Sequence, residues 1–215
     1  MDSREFAKSL EKKIAEFCQT LDGRLPAYSY IPLTSDDARI QVMQSRLFNE
    51  IRAGEIFGGW LKSTPELDVK KRLAEAVHEE YEHAAFLEEA LRQKGAVPYA
   101  YTPLPAQVAM FNAFEGLTDT VERIAAFPMA GEGVADYLIA KSLSAGTVPS
   151  WVTEPYRRIH EDEAEHGNYP FEILVKYATT PEKQARAARA VAMSLVLRRQ
   201  YFDNLDRWVL EGIAC

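Results

Sequence analysis

Glutamate and histidine recur at one fixed interval in two places along this chain. Residues 78–83 read HEEYEH and residues 160–166 read HEDEAEH, so Glu80 precedes His83 by three positions and Glu163 precedes His166 by three. On a helix, residues three apart share a face, and each pair turns one carboxylate and one imidazole toward the same point. Carboxylate oxygens with a single nitrogen per ion suit iron or manganese better than zinc or copper. Two such pairs, joined by one glutamate from each of two further helices, make a site for two metal ions inside a helical bundle. One Glu-x-x-His on a charged helix is ordinarily a solvated face, so the weight rests on the repetition and on finding the two further carboxylates.

The elements that must carry these residues are helical. Apolar residues at Phe6, Leu10, Ile14 and Phe17 follow a helical period over residues 3–21, which Gly23 and Pro26 end. After a connector with Tyr28, Tyr30 and Pro32, a cap at Ser35 or Asp36 starts a helix expected over 37–62. Thr64-Pro65 marks a turn, and the next helix is expected over 65–94, ended by Gly95 and Pro98. YAYTPLP at 99–105 reads as a crossover. A helical segment begins near Pro105, breaks near Thr118 and resumes to about Ala145, with Pro128 expected to kink it. GTVPS is a second tight turn, followed by one helix expected over 150–177 and a last helix from Pro181 nearly to the end. The fold expected is all-α: a ferritin-like four-helix bundle with additional N- and C-terminal helices, in a single domain spanning 1–215.

Helical rise ranks the candidates for the two remaining carboxylates, because ligands of one centre must stand at equal height across a hairpin. Glu50 lies fifteen residues before Pro65 and Glu80 fifteen after it, each about 22 Å from the turn. Glu55 stands about 7.5 Å closer to the turn and is rotated by roughly 140° from Glu50. In the second hairpin, Glu132 lies seventeen residues before Pro149, level with Glu163 and His166 at fourteen and seventeen after it. Glu122 and Glu115 lie about 15 Å and 25 Å beyond Glu132 on the same rise. The expected ligand set, which is also the expected catalytic set, is therefore Glu50, Glu80, His83, Glu132, Glu163 and His166. Glu79 and Asp162 immediately precede the paired glutamates and are expected to hold the second ring nitrogens of the histidines, Asp162 that of His83 and Glu79 that of His166. Phe57, Trp60, Phe127, Met129 and Tyr137 lie near the ligands in sequence; their default is core packing, and any that line a pocket point to an apolar or aromatic substrate.

Composition narrows the class. A net charge of -7 with no basic stripe argues against nucleic acid as a partner. There is no apolar run long enough to cross a membrane and no secretory leader in the first residues, so a cytoplasmic protein is expected. Cys18 and Cys215 suggest neither a disulfide framework nor a thiolate metal site.

The stretch from Asn49 to Gly95 resembles the first metal hairpin of the catalytic subunit of phenylacetyl-CoA epoxygenase, within the ferritin-like di-iron oxygenases. Glu50, Trp60, Pro65, Glu80 and His83 fall on that family's pattern. The second half, Glu132 through Asp162-Glu163 and His166, is similar with slightly longer spacing, and Glu79 stands where most members carry Asp. The likeness implies a ferritin-like bundle that activates O2 at two irons, and it does not specify a CoA substrate.

These readings converge on a non-haem di-iron oxidase or oxygenase. It is expected to hold two Fe ions, with manganese as the other candidate, and to oxidise a small organic substrate with O2. An external electron donor is expected, because the chain has no Gly-rich dinucleotide fingerprint and no Cys cluster for iron–sulfur. Homodimerisation is left open. The competing function is an iron-handling or peroxide-scavenging protein of the ferritin or rubrerythrin kind. A metal-free helical interaction module is disfavoured, since burying several unpaired carboxylates is costly.

Overall fold

A computed structural model describes residues 1–165 and 168–212; for Glu163, Ala164 and Glu165 it describes the backbone alone. Every regular element among the described residues is helical. Helix α1 (Ser3–Leu21) starts where Asp2 accepts hydrogen bonds from the Arg4 and Glu5 amides, and it buries Phe6, Leu10, Ile14, Cys18 and Leu21 along one stripe. Helix α2 (Asp36–Leu61) is capped by the Ser35 hydroxyl, which accepts from the Ala38 amide. Its C-terminal end is tied off by Thr64, whose Oγ1 donates to the Trp60 carbonyl at 2.9 Å. Helix α3 (Leu67–Gln93) runs back against α2 and ends at Gly95, whose φ of +74° fits the left-handed turn that closes a helix. This is the first hairpin, and among the described residues α2–α3 is the most extensive helix pairing.

The second half is built differently from a plain hairpin. Helices α4 (Pro105–Glu115) and α5 (Thr120–Ile124) are separated by a break at Asp119, whose side chain caps α5. The chain then widens into a π-helical turn over Ala125–Gly131 before α6 (Glu132–Ser144). Pro128 lies inside this turn and has no N–H to give, so the ordinary ladder cannot pass through it. The expected kink is thus a local gain of one residue per turn, which re-aims α6 and with it Glu132, the first residue of that helix. Helix α7 (Ser150–Glu165) packs on both α6 and α3, which brings the two hairpins together.

One helix was expected over 150–177, and the chain makes two. Asn168 accepts a hydrogen bond from the Phe171 amide, and Pro170 lies within the first turn of α8 (Tyr169–Tyr177). An Asx cap with a proline just after it favours a new helix start, so the apolar period continues while the backbone restarts. Helix α9 (Pro181–Val209), capped by Thr180, lies across the π turn, α4 and α5, and α1 packs on α8, α9 and α6. The bundle thus has the additional N- and C-terminal helices expected of it.

Gly131 shows how closely α9 approaches the π turn. A Cβ at this position would lie 2.8 Å from Arg198 Nη2 and 2.9 Å from Phe127 Cδ2. Phe127 is itself fixed, with its ring stacked on Phe114 and tilted on Phe57, both at 4.8 Å between centroids. Gly131→Ala is therefore expected to destabilise the protein by about 1–3 kcal/mol, read as a lower urea midpoint at unchanged slope. An unchanged midpoint would mean that Arg198 and Phe127 move aside without cost.

Candidate metal centre

Helices α2 and α3 carry three of the predicted residues to one point. Glu50, Glu80 and His83 each offer a ligand atom, and these atoms lie within 4.8 Å of one another. All three side chains are buried, at 7%, 4% and 2% exposure. Glu55 is not among them: it is exposed and bound to Arg52, which also reaches Glu115. The reason is the one helical rise supplies, since Glu50 and Glu80 stand equally far from the turn between their helices.

Glu132 joins the same space from α6. It opens onto a cavity of about 700 Å3 that Glu50, Glu80 and His83 also line. Protein packs closely round its carboxyl, and that enclosure pushes its pKa up to about 7; Arg198 pulls the other way, Glu50 raises it further, and Arg46 opposes the rise. The influence of Glu50 on Glu132 places the two carboxyls in one electrostatic neighbourhood.

From α7, the Asp162 carboxylate stands 3.9 Å from His83 Nε2. This is the acid expected to serve His83 from across the bundle, and it faces that residue. The Glu163 side chain and His166 lie outside the described residues, so the predicted partnership of Glu79 with His166 does too. Glu79 lines the cavity. Of the remaining histidines, His78 is exposed, and His160 Nδ1 is hydrogen-bonded to Asp136 Oδ1 at 2.6 Å.

The cavity walls come partly from an element that sequence reasoning did not connect with the site. Ile14, Ala15 and Cys18 of α1 line it together with Met129, Ile139 and Ala140, and Phe57 and Ile159 add to the apolar lining. Tyr137 lines it as well, whereas Trp60 packs in the core beside Phe57 and Phe127. Burial pushes the Cys18 thiol up to about 11, so it behaves as an apolar wall.

Two buried arginines were also missed. Arg46 and Arg198 are each 2% exposed. Burial works against the Arg46 cation, but the Tyr156, Tyr28, Glu50 and Tyr30 oxygens more than offset it, and the guanidinium stays protonated. The available signal was its position: Arg46 lies four residues before Glu50, one turn up the same face of the helix.

Comparison with known proteins speaks to the architecture. No protein-family model matches the sequence, and no curated protein matches it. Solved structures do match. A domain of unknown function with a heme oxygenase-like fold from Shewanella denitrificans OS217 superposes with a TM-score of 0.76 at 15% identity, covering 96% of both chains. The fold is heme oxygenase-like. A CADD-like protein of unknown function from Nostoc punctiforme PCC 73102 gives a TM-score of 0.65 at 14% identity, over 95% of this chain and 98% of its own. Identity this low carries the heme oxygenase-like fold alone, and the likeness is not specific to the epoxygenase subunit that the first hairpin resembles. Among the described residues, no helix is long and apolar enough to cross a membrane.

Proposed function

We propose that this chain is a non-haem di-iron oxidase or oxygenase that uses O2 to oxidise a small organic substrate. The observation that carries the reading is the convergence of Glu50, Glu80 and His83 at the edge of a largely apolar cavity. Two hard oxygen donors and one imidazole fit a ferrous or manganous ion, and among the described residues no thiolate joins them. Glu50, Glu80 and His83 would hold one ion; Glu132, an acid of α7 and His166 would hold the other. Two residues of α7 compete for that acid. Asp162 and His166 are four apart, Glu163 and His166 three apart, and both spacings keep a pair on one helix face. Glu163 is the acid we assign to that ion, because Asp162 is turned to His83 Nε2 at 3.9 Å and so serves that imidazole.

When bound, a pair of ferrous ions supplies the reduction of O2 and the oxidation of the organic substrate. The chain's own residues do the rest. Ile14, Met129, Ile139 and Ile159 give the substrate an apolar berth and keep bulk water from the reacting end. His160, with Nδ1 engaged by Asp136, also lines the cavity and can orient a polar group of the substrate. Glu132, whose carboxyl is raised to about 7, would release any proton it carries on becoming a ligand. Electrons come from an external donor. The apolar berth is what favours this reading over iron storage, for a mineral core has no use for it.

The test is aerobic. Protein loaded anaerobically with Fe(II) and then given O2 and a chemical reductant should consume O2 faster with some members of a panel of small apolar compounds, and it should form an oxidised product. Steady oxidation of added Fe(II) into a mineral, with no dependence on any organic compound, would favour the iron-handling reading instead.

A further inference from the structure

Arg46 joins the two halves of the site. Its guanidinium lies between two aromatic faces, 4.2 Å from the Tyr28 ring centroid and 4.5 Å from that of Tyr156. Tyr156 belongs to α7, six residues before Asp162, which is about 9 Å along the helix. Its hydroxyl is hydrogen-bonded to that of Tyr30 at 2.6 Å, and Tyr30 is held in the connector at a φ of 61°. The connector is fastened to α6 in turn, because Ser142 Oγ donates to the Ser29 carbonyl at 2.5 Å. On its own helix, Arg46 Nη2 stands 3.9 Å from Glu50 Oε1.

We propose that Arg46 is a positioning residue for the metal centre, setting the Glu50 carboxylate and the placement of α7 relative to α2 through one guanidinium. The inference rests on the reading of the site as a metal centre. A buried cation is costly unless it is paired, so a residue that merely filled space here would be apolar. The pairing with Glu50 has an unusual length: at 3.9 Å the charges attract, yet the separation is too long for a hydrogen bond to occupy that carboxylate oxygen. A forked, hydrogen-bonded pair would tie up both oxygens of Glu50. The stacked arrangement instead holds the carboxylate by charge and leaves its lone pairs for an ion. The flat guanidinium also needs both faces covered, which Tyr28 from the connector and Tyr156 from α7 provide. A lysine in its place would keep the charge and lose the stacking. The arginine thus ties together helices that carry ligands from the two halves of the sequence.

The experiment is an anaerobic titration with Co(II), whose visible spectrum reports ligand geometry without turnover. Wild type, Arg46→Lys, Tyr156→Leu and Tyr156→Phe are compared, with the urea midpoint of each metal-free protein measured alongside. Arg46→Lys and Tyr156→Leu are expected to weaken binding by about 10- to 100-fold and to shift the spectrum, since both remove the stack. Tyr156→Phe keeps the ring and should titrate as wild type. The proposal is overturned if Arg46→Lys and Tyr156→Leu titrate as wild type with the same spectrum, or if their losses only track a fraction of unfolded protein. Failure of the wild type itself to bind Co(II) would refute the metal reading, and the positioning role with it, before any variant is considered.

Discussion

Glu50→Ala is expected to abolish binding of at least one metal ion and all O2 chemistry, while Glu55→Ala leaves both intact. The two glutamates lie on the same helix, one and a half turns apart, and their surroundings differ completely. Glu50 is 7% exposed and has its carboxylate beside Glu80 and His83. Glu55 points outward and is engaged by Arg52, which bridges to Glu115. Removing a residue that touches the ion should cost more than the about 10- to 100-fold loss expected on removal of an outer partner. The substitution would also leave Arg46 buried without its counter-charge, so a lower stability of the metal-free protein is expected as well. Anaerobic Fe(II) titration of both variants checks this. Loss of an ion in Glu55→Ala, with two retained in Glu50→Ala, would mean that α2 and α3 do not face each other in the register described.

The second large effect is a pH dependence centred on Glu132. Its carboxyl is raised from an ordinary 4.5 to about 7, first by burial, against the pull of Arg198 and with a further push from Glu50. A carboxyl raised in the folded state binds its proton more tightly folded than unfolded. The stability it contributes is fully present below about 4.5, and it is lost as the pH rises through about 7. A span of that size is worth at most about 3 kcal/mol. Chelator-treated protein should accordingly melt at a lower temperature at pH 8 than at pH 6, and Glu132→Gln should remove most of the difference. Bound metal would add positive charge beyond that of Arg198 and Arg46, so loading should flatten the same profile and release a proton near pH 6. A metal-free protein whose melting temperature has the same pH dependence with glutamine at 132 would show that the Glu132 proton is not the one lost.

Much of the first hairpin was legible because two strict periods meet there. Helical rise fixes height, and the short turn at Thr64-Pro65 fixes where the count begins, so Glu50 could be chosen over Glu55 without coordinates. Asp162 was legible as an acid directed at His83 because it immediately precedes one of the paired glutamates. The second half was harder for local reasons. Pro128 told of a disturbance in the third helix, but a kink and a π turn have the same sequence cause, and only packing against α9 decides between them. Asn168 and Pro170 divide what the apolar period presents as one helix, because the period records which residues are buried and not whether the backbone ladder is continuous. Arg46 and Arg198 gave no signal of burial, because an arginine among mixed residues, as in QSRLF and LRRQY, usually extends its head to water. Nor did the period of α1 reveal that Ile14 and Cys18 line a cavity: one buried stripe serves a core and a pocket wall equally well.

Four elements of the bundle, α2, α3, α6 and α7, are expected to bring carboxylates and imidazoles together around two ions. Crystals of the protein loaded anaerobically with Fe(II), measured on both sides of the iron absorption edge, test it most directly. Two anomalous peaks per chain are expected: one bounded by Glu50, Glu80 and His83, and a second on the side of Glu132 and the acids of α7. Iron-soaked crystals with no peak between α2 and α3, or with iron only on the outer surface, would contradict it.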